Sequence, residues 1–230
     1  MDFFQRQWPM FSQNEKNKIR NMTVFVGGAG GLGTHQLIHL QRIGAKKVYI
    51  IDKDNVEPSN LNRQILYGYD DIGLSKVRVA RDRLESFKME TEFEIIEGKI
   101  CSDLEIPAEI DVILDALDNY QARFILDELA HKYNKPLVHG AVDSWHGQVT
   151  SIIPGRTPSL KEIFGEVTKS KESGAGRPIP VFSPVVASVA ITQVIEAVKL
   201  HINKEDNLAN NLLLINWEDY SFEKIEVQLD

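Results

Sequence analysis

Cysteine is almost missing from this chain: Cys101 stands alone among 230 residues. An intrachain disulfide is therefore excluded, and so is a zinc site built from several thiolates. No stretch reaches the roughly 18 uninterrupted apolar residues of a membrane span, and the opening MDFFQRQWPMF lacks the basic-then-apolar order of a secretory leader. Both absences lead us to expect a soluble, cytoplasmic protein with no membrane partner. An excess of basic residues is absent too. With a net charge of −7 and a pI near 5.4, nucleic acid is not an expected partner through bulk charge. No Ser-His-Asp or Cys-His arrangement suggests itself. There is no internal repeat and no composition break marking a second domain, so residues 1–230 read as one unit.

What is present is an alternation of strand and helix signals. Residues 1–21 form an N-terminal arm in which Ser12 and Glu15 have capping-box spacing. MTVFVGG reads as a strand, Gly31 to Ile43 as a helix ended by Gly44, and KKVYIID as a second strand. GLSKVRVARDRLESFK places Val77, Ala80, Leu84 and Phe87 on one helical face, and TEFEIIEGKI returns as a strand. DVILDAL, then helix NYQARFILDELAHKY, then strand PLVHGAV complete the pattern of an α/β, Rossmann-like doubly wound, mostly parallel sheet. HGQVTSIIPG and NNLLLINWEDYSFEKIEVQL read as C-terminal antiparallel strands, with Ser183 and Pro184 capping a helix to about Ile202 between them. Residues 154–182 read as one long irregular crossover.

The chemistry gathers where strands end. Gly28, Gly30 and Gly33 fit G-x-G-x-x-G, the spacing that lets backbone approach a phosphate at a helix N-terminus; NAD, FAD and ATP all satisfy it. Asp52 closes the second strand, where an acidic side chain commonly binds ribose hydroxyls. The polar run after it sets Asp54, Asn60, Arg63 and Gln64 beside that ribose position, and Lys76 opens the next helix. A nicotinamide-dependent oxidoreductase has no use for this cluster, whereas Arg63 and Lys76 suit a triphosphate. Asp118, followed by Asn119, comes directly after DVILDAL; a carboxylate beside a polyanion implies an intervening Mg²⁺.

GGAGGLG, DKDNVEPSNLNRQ, GLSKV, DALDNYQAR, HGAVDSWHGQVT and PVVASVAITQVIEAVKL, in that order, resemble the ThiF/MoeB/HesA group of ubiquitin-activating-enzyme-like adenylyltransferases. The resemblance covers roughly residues 5–202, and SNLNRQ after Asp-x-Asp is its most specific part. It implies that the loop of Gly28, Gly30, Gly31 and Gly33 holds ATP. It further implies Asp52 on ribose, Asn60, Arg63, Gln64 and Lys76 on phosphates, and Asp118 on Mg²⁺. Arg6, in QRQ, would reach the phosphates of a neighbouring subunit, which implies a homodimer. The implied substrate is the C-terminal glycine of a ubiquitin-like sulfur carrier ending in Gly-Gly, in thiamine, molybdopterin or related sulfur transfer. A tRNA-borne or small-molecule carboxylate, as in the threonylcarbamoyladenosine dehydratase branch, is one alternative; an NAD-dependent oxidoreductase and a nucleotide-binding partner without turnover are the others.

The pattern is also broken. Many members of that group carry Cys-x-x-C pairs for zinc; here Ser159 and Glu162 stand in the first pair's places, so cysteine-ligated zinc is not expected. The crossover likewise lacks the cysteine used for covalent relay. Cys101 reads as structural. His35 and His39, at i and i+4, lack the glutamate of a zinc hydrolase, since Gln36 holds its place. Trp145 and His146 are candidates either for the border of a substrate groove or for packing.

Overall fold

The structure is a computed structural model that describes residues 3–165 and 180–228. Among them, eight strands form one sheet in the order β3-β2-β1-β4-β5-β6-β7-β8. The parallel part comprises β1 (Thr23–Gly27), β2 (Lys47–Asp52), β3 (Glu92–Glu97), β4 (Val112–Asp115) and β5 (Leu137–Asp143). The antiparallel part adds β6 (His146–Ile152), β7 (Asn211–Asn216) and β8 (Ser221–Glu226). The doubly wound fold with antiparallel C-terminal strands is thus the one expected.

Alternation along the central strands feeds two core layers. Val24, Val26, Val48, Ile50 and Leu114 point into a layer with residues of α2 (Gly31–Ile43), α3 (Lys76–Glu85) and α6 (Ser183–His201). Phe25, Ile51, Ile113 and Leu137 point the other way, against α4 (Tyr120–Lys132) and α5 (Leu160–Phe164). A strand buried on both faces needs apolar residues at every position, which is why β1 and β4 read as continuous runs. Successive strands leave β1 in opposite directions, β2 on one side and β4 on the other. That reversal opens a crevice at the carboxyl ends of β1 and β4, the place where open α/β sheets bind ligands.

Local signals explain most helix limits. Ser12 and Glu15 form the expected capping box on α1 (Gln13–Asn21), and Gly44 ends α2 at φ 82°, a left-handed conformation that favours glycine. Three expectations need correction. The helix beginning at Lys76 stops at Glu85, so Phe87 lies beyond it, 39% exposed beneath the Arg42 guanidinium, instead of joining Val77, Ala80 and Leu84 in the core. Ser183 is the first residue of α6 and not its cap; Phe182 takes the cap position without a side-chain bond, and Pro184 sits in the first turn, where its missing N–H costs nothing. Although α6 is long and apolar enough on average to cross a bilayer, it lies against the sheet, with Val186, Val189, Ala190, Val194 and Ala197 in the core.

The third correction concerns the crossover, which contains a short helix after its opening turn and is not irregular throughout. Ser159 and Glu162 cap α5 reciprocally: the Ser159 Oγ accepts the Glu162 N–H, and the Glu162 carboxylate accepts the Ser159 N–H at 2.7 Å. Buried Asp127 of α4 holds the same helix from below, accepting the Leu160 N–H at 2.8 Å. Residues 166–179 of the expected crossover lie outside the described residues.

Burial pushes the Asp127 carboxyl up to about 6. The native state therefore binds this proton more tightly than the unfolded chain, so this group's contribution to stability falls as pH rises from the ordinary aspartate range toward about 6. Asp127→Asn keeps an oxygen for Leu160 and removes the buried charge. It should raise Tm by about 3 °C near neutral pH, the equivalent of about 1 kcal/mol in a domain of this size, and change little near the unfolded pKa. A lower Tm near neutral pH, measured by thermal unfolding, would show that the charge stabilises the latch.

Candidate active site

The crevice at the switch point is a cleft of about 1220 Å³. A small-molecule pocket commonly occupies roughly 300–1,000 Å³, so there is room here for a nucleotide and part of a second substrate. Gly31, Arg63 and Asp118 line one end, and the walls of β5–β8 extend the cleft as far as Ser221 and Glu223.

The glycine loop is built by close approach. Gly28 has φ +116°, and a Cβ there would lie 2.7 Å from the Ala116 carbonyl oxygen. A Cβ at Gly33 would overlap the Gly28 carbonyl oxygen, so helix and loop pack backbone to backbone. At Gly30 only the Gln64 amide comes near, at 3.8 Å, which leaves open space above the loop. Gln64 is buried, and its Oε1 has no hydrogen-bond partner. An unsatisfied acceptor at the loop and free space over Gly30 fit a nucleotide whose hydroxyl or exocyclic amino donor completes the set.

The acidic and basic residues of the motif support one another. Asp52 accepts the Ala29 N–H at 2.7 Å through Oδ2 and the Asp54 N–H at 2.8 Å through Oδ1. It therefore shapes the glycine loop itself, a role that composition did not suggest, while each oxygen keeps a lone pair for a further donor. Lys76 is buried with its Nζ 3.5 Å from Asp54 Oδ2. Asn60 is also buried; its Oδ1 accepts the Glu57 N–H and orders the turn carrying Arg63. Arg63 donates to the Ser59 carbonyl at 2.8 Å and to Asn62 Oδ1 at 2.9 Å while lining the cleft. Tyr67 ties the loop to the α3 start by donating to the Ala29 carbonyl at 2.7 Å. Its hydroxyl titrates far above the ordinary tyrosine range because it is buried and Asp52 is near.

Asp118 is exposed in the cleft. Asn119 stands behind it, donating to Asp118 Oδ1 at 3.1 Å while its own oxygen caps α4 through the Ala122 N–H. Among the described residues no group of three His, Cys, Asp or Glu side chains could enclose a metal. A lone carboxylate suits Mg²⁺ shared with phosphates, because that ion keeps waters and needs only one or two protein carboxylates. Arg6 is exposed in the N-terminal turn and does not line the cleft of its own chain.

Beneath this surface lies a polar network that motif reading missed. Asp115, fully buried at the end of β4, accepts the Leu117 N–H at 3.0 Å, and its Oδ2 lies 2.7 Å from His139 Nδ1. Arg123 stands 3.7 Å from the same carboxylate and donates to the Leu117 carbonyl at 2.6 Å. From α6, Gln193 donates to the carbonyls of Asp115 and Val138 and is itself gripped by Gln36 at 2.7 Å. A Cβ at Gly140 would overlap the Gln193 amide. The available signal was one polar residue set inside each apolar run. Burial lowers the pKa of His139 against the pull of Asp115, and lowers that of His35, which is buried beside the Arg63 backbone. His146 lines the cleft; Trp145 instead packs on Phe182 in a tilted contact with centroids 4.8 Å apart.

A model of the ThiF family matches residues 4–230. The chain belongs to the ThiF family. It is 31% identical to the sulfur carrier protein adenylyltransferase of Thermus thermophilus over 99% of this chain and 88% of that protein. It is 28% identical to a "Probable molybdopterin-synthase adenylyltransferase" of Porphyra purpurea over 95% of this chain, but spans only 58% of that relative's length. The crystal structure of E. coli MccB with ATP shares the fold, with a TM-score of 0.82 and 21% identity over 94% of this chain and 66% of the other. The family match and the two adenylyltransferase relatives bear out the sequence resemblance and the enzyme class named in it.

Gly33→Ala should remove at least about 3 kcal/mol of stability, or disable nucleotide binding where the chain still folds, because backbone must separate from backbone. Gly73→Ala, at φ +88° with nothing within 4 Å, should cost only about 1 kcal/mol and leave nucleotide binding intact. Urea unfolding and calorimetric titration with ATP would read both effects.

Proposed function

We propose that this chain, an adenylyltransferase by family, activates the C-terminal carboxylate of a small ubiquitin-like sulfur carrier ending in Gly-Gly. The observation that carries the reading is the union, in one cleft, of a glycine loop, a cation from the β2–α3 segment and a carboxylate after β4, continued by an open wall of strands. A carboxylate oxygen attacks the α-phosphorus of ATP, the α–β phosphoanhydride bond breaks, and pyrophosphate leaves. No base is needed, since the nucleophile is already ionised near neutral pH. The protein must align the reactants and offset charge, a task for Arg63, Lys76 and the loop N–H groups. Lys76 arrives neutralised by Asp54, so Arg63 is the main uncompensated cation of this set. When Mg²⁺ is bound, Asp118 and phosphate oxygens would hold it, and it supplies charge neutralisation on the leaving pyrophosphate.

An oxidoreductase reading explains the glycines and Asp52 but leaves Arg63 and Asp118 without work. The expected homodimer fits an Arg6 that is exposed and does not line the cleft of its own chain, and its part in a neighbouring site belongs to this proposal. Ser159 and Glu162 are occupied with capping α5, so the absence of cysteine there leaves the segment held by other means.

The test is ATP–pyrophosphate exchange with Mg²⁺ and a panel of carriers ending in Gly-Gly. Exchange should require a carrier. Arg63→Ala should lower it by at least about 100-fold, the loss of one charge-assisted contact to the transition state. Undiminished exchange in Arg63→Ala, or ATP binding without exchange for every carrier, would count against the proposal.

A further inference from the structure

Among the polar side chains of the cleft wall, Gln148 has its orientation dictated from the interior by a histidine. Gln148, in β6, faces Ala141 of β5 and Leu214 of β7 in the sheet register, and all three line the cleft. Its Nε2 lies 3.2 Å from His139 Nε2. On the far side of that imidazole, Nδ1 meets the buried Asp115 carboxylate at 2.7 Å. A buried carboxylate accepts, so Nδ1 carries the imidazole proton and Nε2 presents a lone pair. Only the NH₂ of Gln148 can satisfy that lone pair, because its carbonyl there would set two acceptors against each other. The Gln148 Oε1 is thereby held as an acceptor away from His139. His139 cannot swing aside: it is fully buried and packs on the Phe164 ring at 5.4 Å.

The position of this acceptor along the cleft matters equally. Asp115 precedes Asp118 by three residues in the chain, and one imidazole links it to Gln148. Gln148 is thus connected through His139 to the loop at the phosphate end, whereas Ser221 and Glu223 belong to the last strand, at the sheet edge. The wall beside it carries the small residue Ala141, paired with Gln148 in the sheet register, which leaves room for an extended backbone.

We propose that Gln148 is the positioning residue that makes this site specific for a peptide C-terminus, its Oε1 accepting the N–H of the substrate's last peptide bond. This rests on the adenylation reading above and narrows it: a small carboxylic acid without that N–H leaves an oriented acceptor unpaired. The bond fixes the terminal residue one amide away from the reacting carboxylate, and the Asp115–His139 pair acts through Gln148 without touching substrate.

The experiment compares a carrier ending in an ordinary peptide bond with one whose last amide is replaced by an ester, in wild type and Gln148→Ala. In the wild type the ester should raise KM in the exchange reaction about tenfold, the upper range for one neutral hydrogen bond, with kcat changed less. Gln148→Ala should show a similar rise on the amide carrier and no further rise on the ester, while its affinity for ATP alone stays at the wild-type value. Independent, multiplying effects of the two changes would overturn the proposal. So would wild-type exchange supported only by small carboxylates, a result that keeps adenylation and rejects the peptide. Absence of exchange with every carboxylate would reject both. Nitrogen-15 spectra of His139 in the wild type add a readout free of activity: the neutral Nδ1–H tautomer is expected, and an Nε2–H tautomer or an imidazolium would remove the basis for the Gln148 orientation.

Discussion

The Asp115 carboxylate is the interaction on which the site depends. A buried carboxylate is unfavourable by several kcal/mol unless donors surround it. Here Leu117, His139 and Arg123 come from the loop after β4, from β5 and from α4. The backbone carbonyl of the same residue is held by Gln193 from α6, which Gln36 of α2 grips in turn. One residue thus joins both helical layers at the point where strand order reverses. The loop carrying Asp118 can be short and fixed because its root is tied in this way. The same donors that offset the charge also orient groups that reach the cleft.

Much of this was legible in the sequence wherever a signal was local. The glycine loop, the Ser12–Glu15 box, the Gly44 stop and the polar run from Asp52 to Gln64 all report on neighbours within a turn or two. The switch-point crevice followed from strand alternation. The Asp115 network was not legible because its partners are 24, 78 and 157 residues apart along the paired positions. Nothing in a single sequence tells a polar residue at a strand end that caps a turn from one that anchors a buried cluster. The helix cap at Phe182 was misread for a related reason: Ser before Pro is a strong local cap signal, and packing of α6 against the sheet moved the boundary by one residue.

The crossover illustrates how one position can exchange chemistries while keeping a mechanical task. Relatives with Cys-x-x-C would tether this segment through metal; here the two positions form a capping box, and Asp127 holds the first helical N–H from beneath. The anchoring carboxylate is destabilised by its own burial. The short helix it secures places Phe164 on His139 and Tyr120, so this part of the crossover packs on the polar network that supports the cleft. Stability of α5 and order of the site are in this way mechanically connected.

The central claim is that a carboxylate oxygen of the substrate bonds to the α-phosphorus of ATP. Labelling both oxygens of the carrier's C-terminal carboxylate with oxygen-18, letting the reaction run to acyl transfer, and weighing the released AMP tests that bond directly. The account predicts AMP carrying one heavy oxygen. Unlabelled AMP, or ADP as the nucleotide product, would contradict it.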